Sequence, residues 1–267
     1  MSKMQRYIWL GLALTLTTGY AMAADKLGRI EPGSYPMRAI TNHLPWSYKN
    51  YKVYWEALQK VELELGNQER FRDLPQLSLK QPFTGTIVLG DGQQQFGVII
   101  DLVGEEKRLY IDRDGDGSFQ GETWLPLLNE WYGLQIYEVY GPEPFTVQVT
   151  YKDGSKHQLA LQIMSSLLNR PGAQFKEKPF LKVAVTSWFL SRINEDGGKK
   201  LVAVIDRNNN GCFNDPEDYL YFDYNDDGRF DEKEWLQRKR GVTLPNKQKL
   251  TADWSVYPDV LVIGGKK

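Results

Sequence analysis

Three runs of the form Asp-x-[Asp/Asn]-x-[Asp/Asn]-Gly, at Asp112–Gly117, Asp206–Gly211 and Asp223–Gly228, constrain this chain more than any other feature. Each sets oxygen side chains at alternate positions ahead of a glycine that can turn sharply with φ > 0, so a short loop can wrap a hard cation. Asp, Asn and Gly also favour plain hairpin turns that hold no metal. Against that reading, each run carries a phenylalanine two residues after its glycine (Phe119, Phe213 and Phe230), an apolar anchor that a simple polar turn does not need.

The third run fits a cation loop position by position. Asp223, Asn225 and Asp227 fall at positions 1, 3 and 5 and Gly228 at 6. Arg229 at 7 offers its backbone carbonyl, Asp231 at 9 acts directly or through water, and Glu234 at 12 closes the shell bidentately. This dozen residues resembles the EF-hand calcium loop, and the resemblance implies Ca²⁺ as the ion. The other two runs depart from it. In the first, Asp112, Asp114, Asp116 and Gly117 fit and Ser118 stands at 7, but Glu122 falls at 11 and Thr123 at 12, so the closing carboxylate reaches in from a tighter loop or comes from elsewhere. In the second, Asp206, Asn208, Asn210 and Gly211 fit and Cys212 stands at 7. Its position 12 is Glu217, which follows Pro216 and competes with Asp215 and Asp218. Fewer early carboxylates there imply weaker binding.

The flanks set these loops on strands. Gln95–Val103 and Lys107–Ile111 read as a hairpin that feeds the first loop, and Phe180–Phe189 and Lys200–Ile205 as one that feeds the second. The two look like a degenerate internal repeat. Only Tyr219–Phe222 separates the second and third loops, enough for one strand and too short for the helices between paired EF-hands. The close spacing is similar to the aspartate-rich loops of thrombospondin type 3 repeats and unlike that of dockerins. Thr84–Leu89, Gly133–Tyr140, Pro144–Tyr151 and His157–Ile163 add further strands, with Lys152–Ser155 as a hairpin turn. Two helices are expected, an amphipathic one over Tyr51–Leu65, whose tail from Val61 also alternates like a strand, and a short exiting one over Glu232–Lys239. The fold class is therefore mainly β, antiparallel and sandwich-like, with few short helices and the cation loops carried on hairpins.

Lys3 and Arg6, the apolar stretch Ile8–Leu16 and the small residues Ala21 and Ala23 make a secretory signal peptide over residues 1–23. The apolar stretch is shorter than the ~20 residues of a spanning helix, and no later segment is apolar enough to span. Expected units are 24–80, 81–165 with the first loop, 175–240 with the second and third, and a tail from 241 to 267. Ser165–Lys178 serves as a linker or surface loop between the loop-bearing halves. The location expected is periplasmic or secreted, in a bacterial envelope, where ambient calcium fills sites with dissociation constants of roughly 10⁻⁴–10⁻³ M.

Charge and composition narrow the partners. The chain has 33 basic and 34 acidic residues, a near balance that removal of Lys3 and Arg6 tips slightly further towards acid, so nothing supports a nucleic-acid partner. Cys212 is the single cysteine and forms no internal disulfide. His43 and His157 are the only histidines and stand at no zinc spacing, and no Gly-x-Ser-x-Gly elbow occurs. The reading is thus an exported calcium-binding protein with mainly structural ions, not an enzyme with a visible motif. The alternative is a calcium-stabilised module for a glycan or an envelope protein. Its motive is the tryptophans, Trp46, Trp131 and Trp254 above all, which stack on sugars if exposed and pack in the core if not. An envelope hydrolase is the least supported reading.

Overall fold

The computed structural model describes residues 27–41, 58–103, 106–131, 138–141, 144–166, 179–228, 230, 234–237 and 241–265. The leader, Trp46, residues 51–57 of the expected first helix, residues 133–137 of the expected strand Gly133–Tyr140 and the segment 167–178 lie outside the described residues. In chain order the strands are β1 (Gly33–Pro36), β2 (Arg38–Ile40), β3 (Gln59–Glu62), β4 (Glu64–Leu65), β5 (Phe83–Leu89), β6 (Gln94–Val103) and β7 (Glu106–Ile111). Next come β8 (Leu125–Pro126), β9 (Leu128–Trp131), β10 (Glu138–Gly141), β11 (Phe145–Thr150), β12 (Lys156–Ser166) and β13 (Phe180–Val185). The last are β14 (Trp188–Glu195), β15 (Gly198–Ile205), β16 (Tyr219–Phe222), β17 (Trp235–Gln237), β18 (Val242–Thr243), β19 (Lys249–Trp254) and β20 (Val260–Gly265).

These strands form four antiparallel sheets, as the mainly β reading expects. The expected helices do not appear among the described residues. Among the described residues the only helical element is a 3-10 turn at Gln68–Arg70. Residues 59–65 of the expected first helix form β3 and β4, with Leu63 buried between them. In the described part of the expected exiting helix, residues 234–237, the chain forms β17, which pairs with β16 in the register Leu220↔Leu236 and Tyr221↔Trp235. Good helix formers over so few residues are a weak signal, because a short helix is marginal on its own and pairing with a strand already in place wins.

The described residues divide into two compact units. The central unit, from 40–188 and 206–215, holds two sheets. One is a meander in the order β4-β5-β6-β7-β8, and the other runs β3-β13-β12-β10-β9 with β11 also on β12. On β11 the side chains alternate, with Phe145, Val147 and Val149 buried and Thr146 exposed, the period-2 pattern of a half-covered sheet. β6 differs, since residues 96–101 are all buried, so it is covered on both faces. A Cβ added to Gly85 of β5 would lie 3.0 Å from Val61 and Leu63 side-chain atoms, which shows how closely residues of β3 and its neighbour press on β5.

The terminal unit, from 1–39, 189–205 and 216–267, holds the sheets β1-β20-β19-β18 and β17-β16-β15-β14-β2. Its core includes Ile30, Phe189, Ile193, Val202, Val204, Phe222, Leu261 and Ile263, all buried. The stretch Phe180–Phe189, expected as one strand, is two. It breaks at Thr186–Ser187, where the Thr186 N–H donates to the Ala160 carbonyl and the Ser187 hydroxyl accepts from the Ala160 N–H. A buried serine that takes over a backbone partner ends the ladder there. The hairpin feeding the second loop is therefore β14–β15, turning at Asp196–Gly197.

Candidate metal centre

Each Asp-rich run follows a strand end, and all three share one hydrogen-bond pattern. In the first, after β7, Asp112 Oδ1 accepts from the N–H groups of Gly115 and Asp116 at 2.8 and 3.1 Å, and Oδ2 accepts from Gly117 at 2.9 Å. In the second, after β15, Asp206 accepts likewise from Asn209, Asn210 and Gly211. In the third, after β16, Asp223 accepts from Asp227 and Gly228. Positions 3 and 5 repeat the device where it is described. Asp114, Asn208 and Asn225 each accept from the amide two residues on, and Asp116 and Asn210 do the same for Ser118 and Cys212. The fourth and sixth residues are left-handed throughout, with φ of 69° and 79° at Gly115 and Gly117, 58° and 79° at Asn209 and Gly211, and 59° and 75° at Asp226 and Gly228. Gly, Asn and Asp are the residues that tolerate this conformation.

The geometry gathers oxygen atoms on the inside of each turn. Ligand atoms of Asp112, Asp114 and Asp116 lie within 4.8 Å of one another, a group that could hold a metal ion. Asp112 is buried and the other two are exposed. Glu122 reaches back to this loop, accepting from the Arg113 N–H at 2.9 Å and lying 3.6 Å from the Arg113 guanidinium. In the third loop Glu234 accepts from the Tyr224 N–H at 2.9 Å. Arg113 and Tyr224 are both second residues, so the two glutamates take equivalent places despite the one-residue offset. Arg229 and Asp231 lie outside the described residues. In the second loop Asp215 Oδ2 accepts from the Asn208 and Asn210 side-chain amides at 3.1 and 2.6 Å. Glu217 is exposed and belongs to the terminal unit, whereas the loop at 206–215 groups with the central one.

The loops are built in, not hung outside. Phe119, Phe213 and Phe230 are all buried. Phe119 packs with Ile99 and Tyr110 and meets Phe71 edge-to-face at 5.3 Å, and Phe230 meets Tyr221 at 5.9 Å. Gln94 braces the first loop to β11, its amide donating to the Asp114 carbonyl and its oxygen accepting from the Thr150 N–H. A strap at residues 71–73 lies along the same loop. Arg72 exchanges backbone hydrogen bonds with Gly117 and Phe119, and Ser118 Oγ donates to Asp73 Oδ2 at 2.8 Å. No sequence pattern marked Gln94, Arg72 or Asp73, because they meet the loop only through the fold. The second loop is welded in by bonds from Gly90 N–H to the Asn210 carbonyl, Tyr151 hydroxyl to the Gly211 carbonyl and Val185 N–H to Asn209 Oδ1.

Burial raises the carboxyl pKa of the first residue in every loop, Asp112, Asp206 and Asp223, against the opposing pull of the backbone N–H groups. Asp206, fully buried, is pushed up to about 7, with the nearby Asp215 charge adding to the effect. At Asp223 the charges of Asp226 and Asp227 also push upward, and Glu122 is raised by its burial first. Self-repelling, partly dehydrated carboxylates are the electrostatic condition in which a divalent ion is most favourable.

Of the three tryptophans singled out in the sequence, only the side chain of Trp254 falls within the described residues. Trp254 and Trp188 are buried, and exposed Trp124 carries the Arg108 guanidinium 5.0 Å from its ring centre. Cys212 is buried and forms no disulfide. No helix among the described residues is long and apolar enough to cross a membrane. No protein-family model, curated protein or solved structure matches the chain.

Proposed function

We propose that the protein is an exported calcium-binding protein, in which tandem EF-hand-like loops take ions that serve structure more than signalling. The observation that carries this reading is the common build of the three loops, in which alternate oxygen side chains are held by their own backbone amides, with the Asp112, Asp114 and Asp116 carboxylates drawn together in one of them. Carboxylate, carboxamide and carbonyl oxygens on a flexible turn suit calcium, which accepts 6–8 oxygen ligands in irregular geometry, better than magnesium, which demands a near-ideal octahedron. Neutralising the clustered carboxylates couples ion binding to folding. Export to the bacterial envelope rests on the leader pattern of residues 1–23, and N-terminal sequencing of the exported protein should find it beginning at Ala24.

Calorimetric titration of the chelator-stripped protein with calcium is expected to show binding. Its melting temperature should rise by about 5–10 °C in millimolar calcium, the effect of a ligand in ~100-fold excess over its dissociation constant on a domain of this size. No heat of binding together with an unchanged melting temperature in calcium and chelator would falsify the proposal.

A further inference from the structure

Lys200 in β15 is the only buried basic side chain among the described residues. Its Nζ lies 2.8 Å from Asp226 Oδ2 and 3.5 Å from Glu195 Oε2. Glu195 is nearly buried and accepts in addition from the Gly28 N–H. Asp226 is different. It is the fourth residue of the third loop, left-handed at φ 59°, and its side chain is 66% exposed. At position 4 it falls between the expected ligand positions 3 and 5, yet it adds a negative charge to a loop that already holds Asp223, Asp227 and Glu234. An ammonium taken wholly out of water is costly unless carboxylates face it, so losing one partner of this pair costs more than breaking a surface ion pair.

We propose that Lys200 is the resident counter-ion of the third loop, holding Asp226 in place so that the loop takes its cation-ready form before a divalent ion arrives. Among the described residues the first loop has no wholly buried cation at its turn. Its nearest cations are Arg72, 3.9 Å from Asp116 with both side chains more than half exposed, and Arg113, which pairs with Glu122. Solvent screens the Arg72–Asp116 contact, whereas the more sheltered Arg113–Glu122 pair engages the glutamate that reaches back to the loop and not the turn itself. The turn of the third loop thus has a wholly buried cation at its fourth residue, and the turn of the first has only the exposed Arg72 among the described residues. This inference rests on the calcium reading above.

The test is Lys200→Met in the full chain, melted in chelator and in millimolar calcium beside the wild type. The Glu195 pair is lost in both conditions and cancels. In calcium the ion supplies the charge that Lys200 supplied, so the variant should lose about 10 °C in chelator and roughly half of that or less in calcium. Adding Asp226→Asn to the variant removes the charge that needed neutralising and should restore part of the loss in chelator. A variant that folds in calcium and not in chelator supports the proposal too. If Lys200→Met folds in neither condition, the double variant decides: folding restored supports the counter-ion role, and folding still absent overturns it. Equal losses in both conditions, with the wild type still responding to calcium, overturn the Lys200 assignment alone. A wild type that does not respond to calcium overturns the assignment and the calcium reading together.

Discussion

A single aspartate at the head of each loop accepts two or three backbone N–H groups, so the turn and the placing of that carboxylate are set by the same side chain. The glutamates further along do the complementary work, since Glu122 and Glu234 each accept from the second residue's amide. Counting positions left Glu122 out of step with the pattern, whereas its contact puts it in the place of Glu234. Glu122→Gln and Glu234→Gln should therefore each weaken one site by about tenfold, or ~1.4 kcal/mol, and leave the other untouched, as read by calcium titration. An effect at Glu234 alone would return the first loop's closing ligand to some other residue. Proton competition gives a second expectation. The Asp206 carboxyl titrates at about 7 in the fold because burial raises it. Between the ordinary carboxylate value of ~4 and that point, the folded state holds a proton that the unfolded chain releases, so ion-free stability falls as pH rises. On the proposed reading calcium would displace that proton, and the melting gain it confers should grow from about pH 5 to pH 8. In Asp206→Asn the growth should shrink; an unchanged profile would remove Asp206 as its source.

At the scale of the turn and strand, two glycines at the same loop position separate backbone strain from crowding. Gly228, at φ 75°, has no heavy atom within 4 Å of an added Cβ, so Gly228→Ala should cost only the left-handed conformation, about 1–2 kcal/mol. Gly211, at φ 79°, would set that Cβ 3.1 Å from Gly90 N and from Leu159 Cδ1, so Gly211→Ala should cost distinctly more by denaturant melting in calcium. Equal costs would mean that the second loop is not welded to its neighbours. The loops were legible in the sequence because alternate Asp and Asn ahead of glycine is a local code, and strands such as β5, β6 and β11 because their apolar runs are bounded by turns. What was not legible is non-local. Glu232–Lys239 carries a helix former's composition, but the Phe222 N–H bonded to the Glu234 carbonyl starts a strand pairing that no window of eight residues contains. The break at Thr186–Ser187 depends on Ala160, more than twenty residues away. Arg72, Asp73 and Gln94 reach the first loop the same way and belong to no motif.

The whole chain interleaves its two units: the terminal unit takes residues from 1–39, 189–205 and 216–267, and the central unit takes 40–188 and 206–215. Within the terminal unit β1 pairs with β20 in the register Gly33↔Ile263, a separation of most of the chain, so that sheet closes only after the last strand is made. Folding with such distant pairings is slow, in the millisecond-to-second range for β-rich domains. Ions that lock each loop after β7 or β16 would then act as local fasteners for the unit that carries them. The first loop lies in the central unit and the third in the terminal one. Hydrogen exchange followed by mass spectrometry can separate them. Calcium should slow exchange in 94–126 and in 219–237. Asp112→Ala should abolish the first protection and keep the second, and Asp223→Ala the reverse. Loss of both protections in either variant would mean that the ions stabilise one cooperative structure and that the two units are not energetically separate. Loss of neither would place the stabilising ion away from position 1 of these loops.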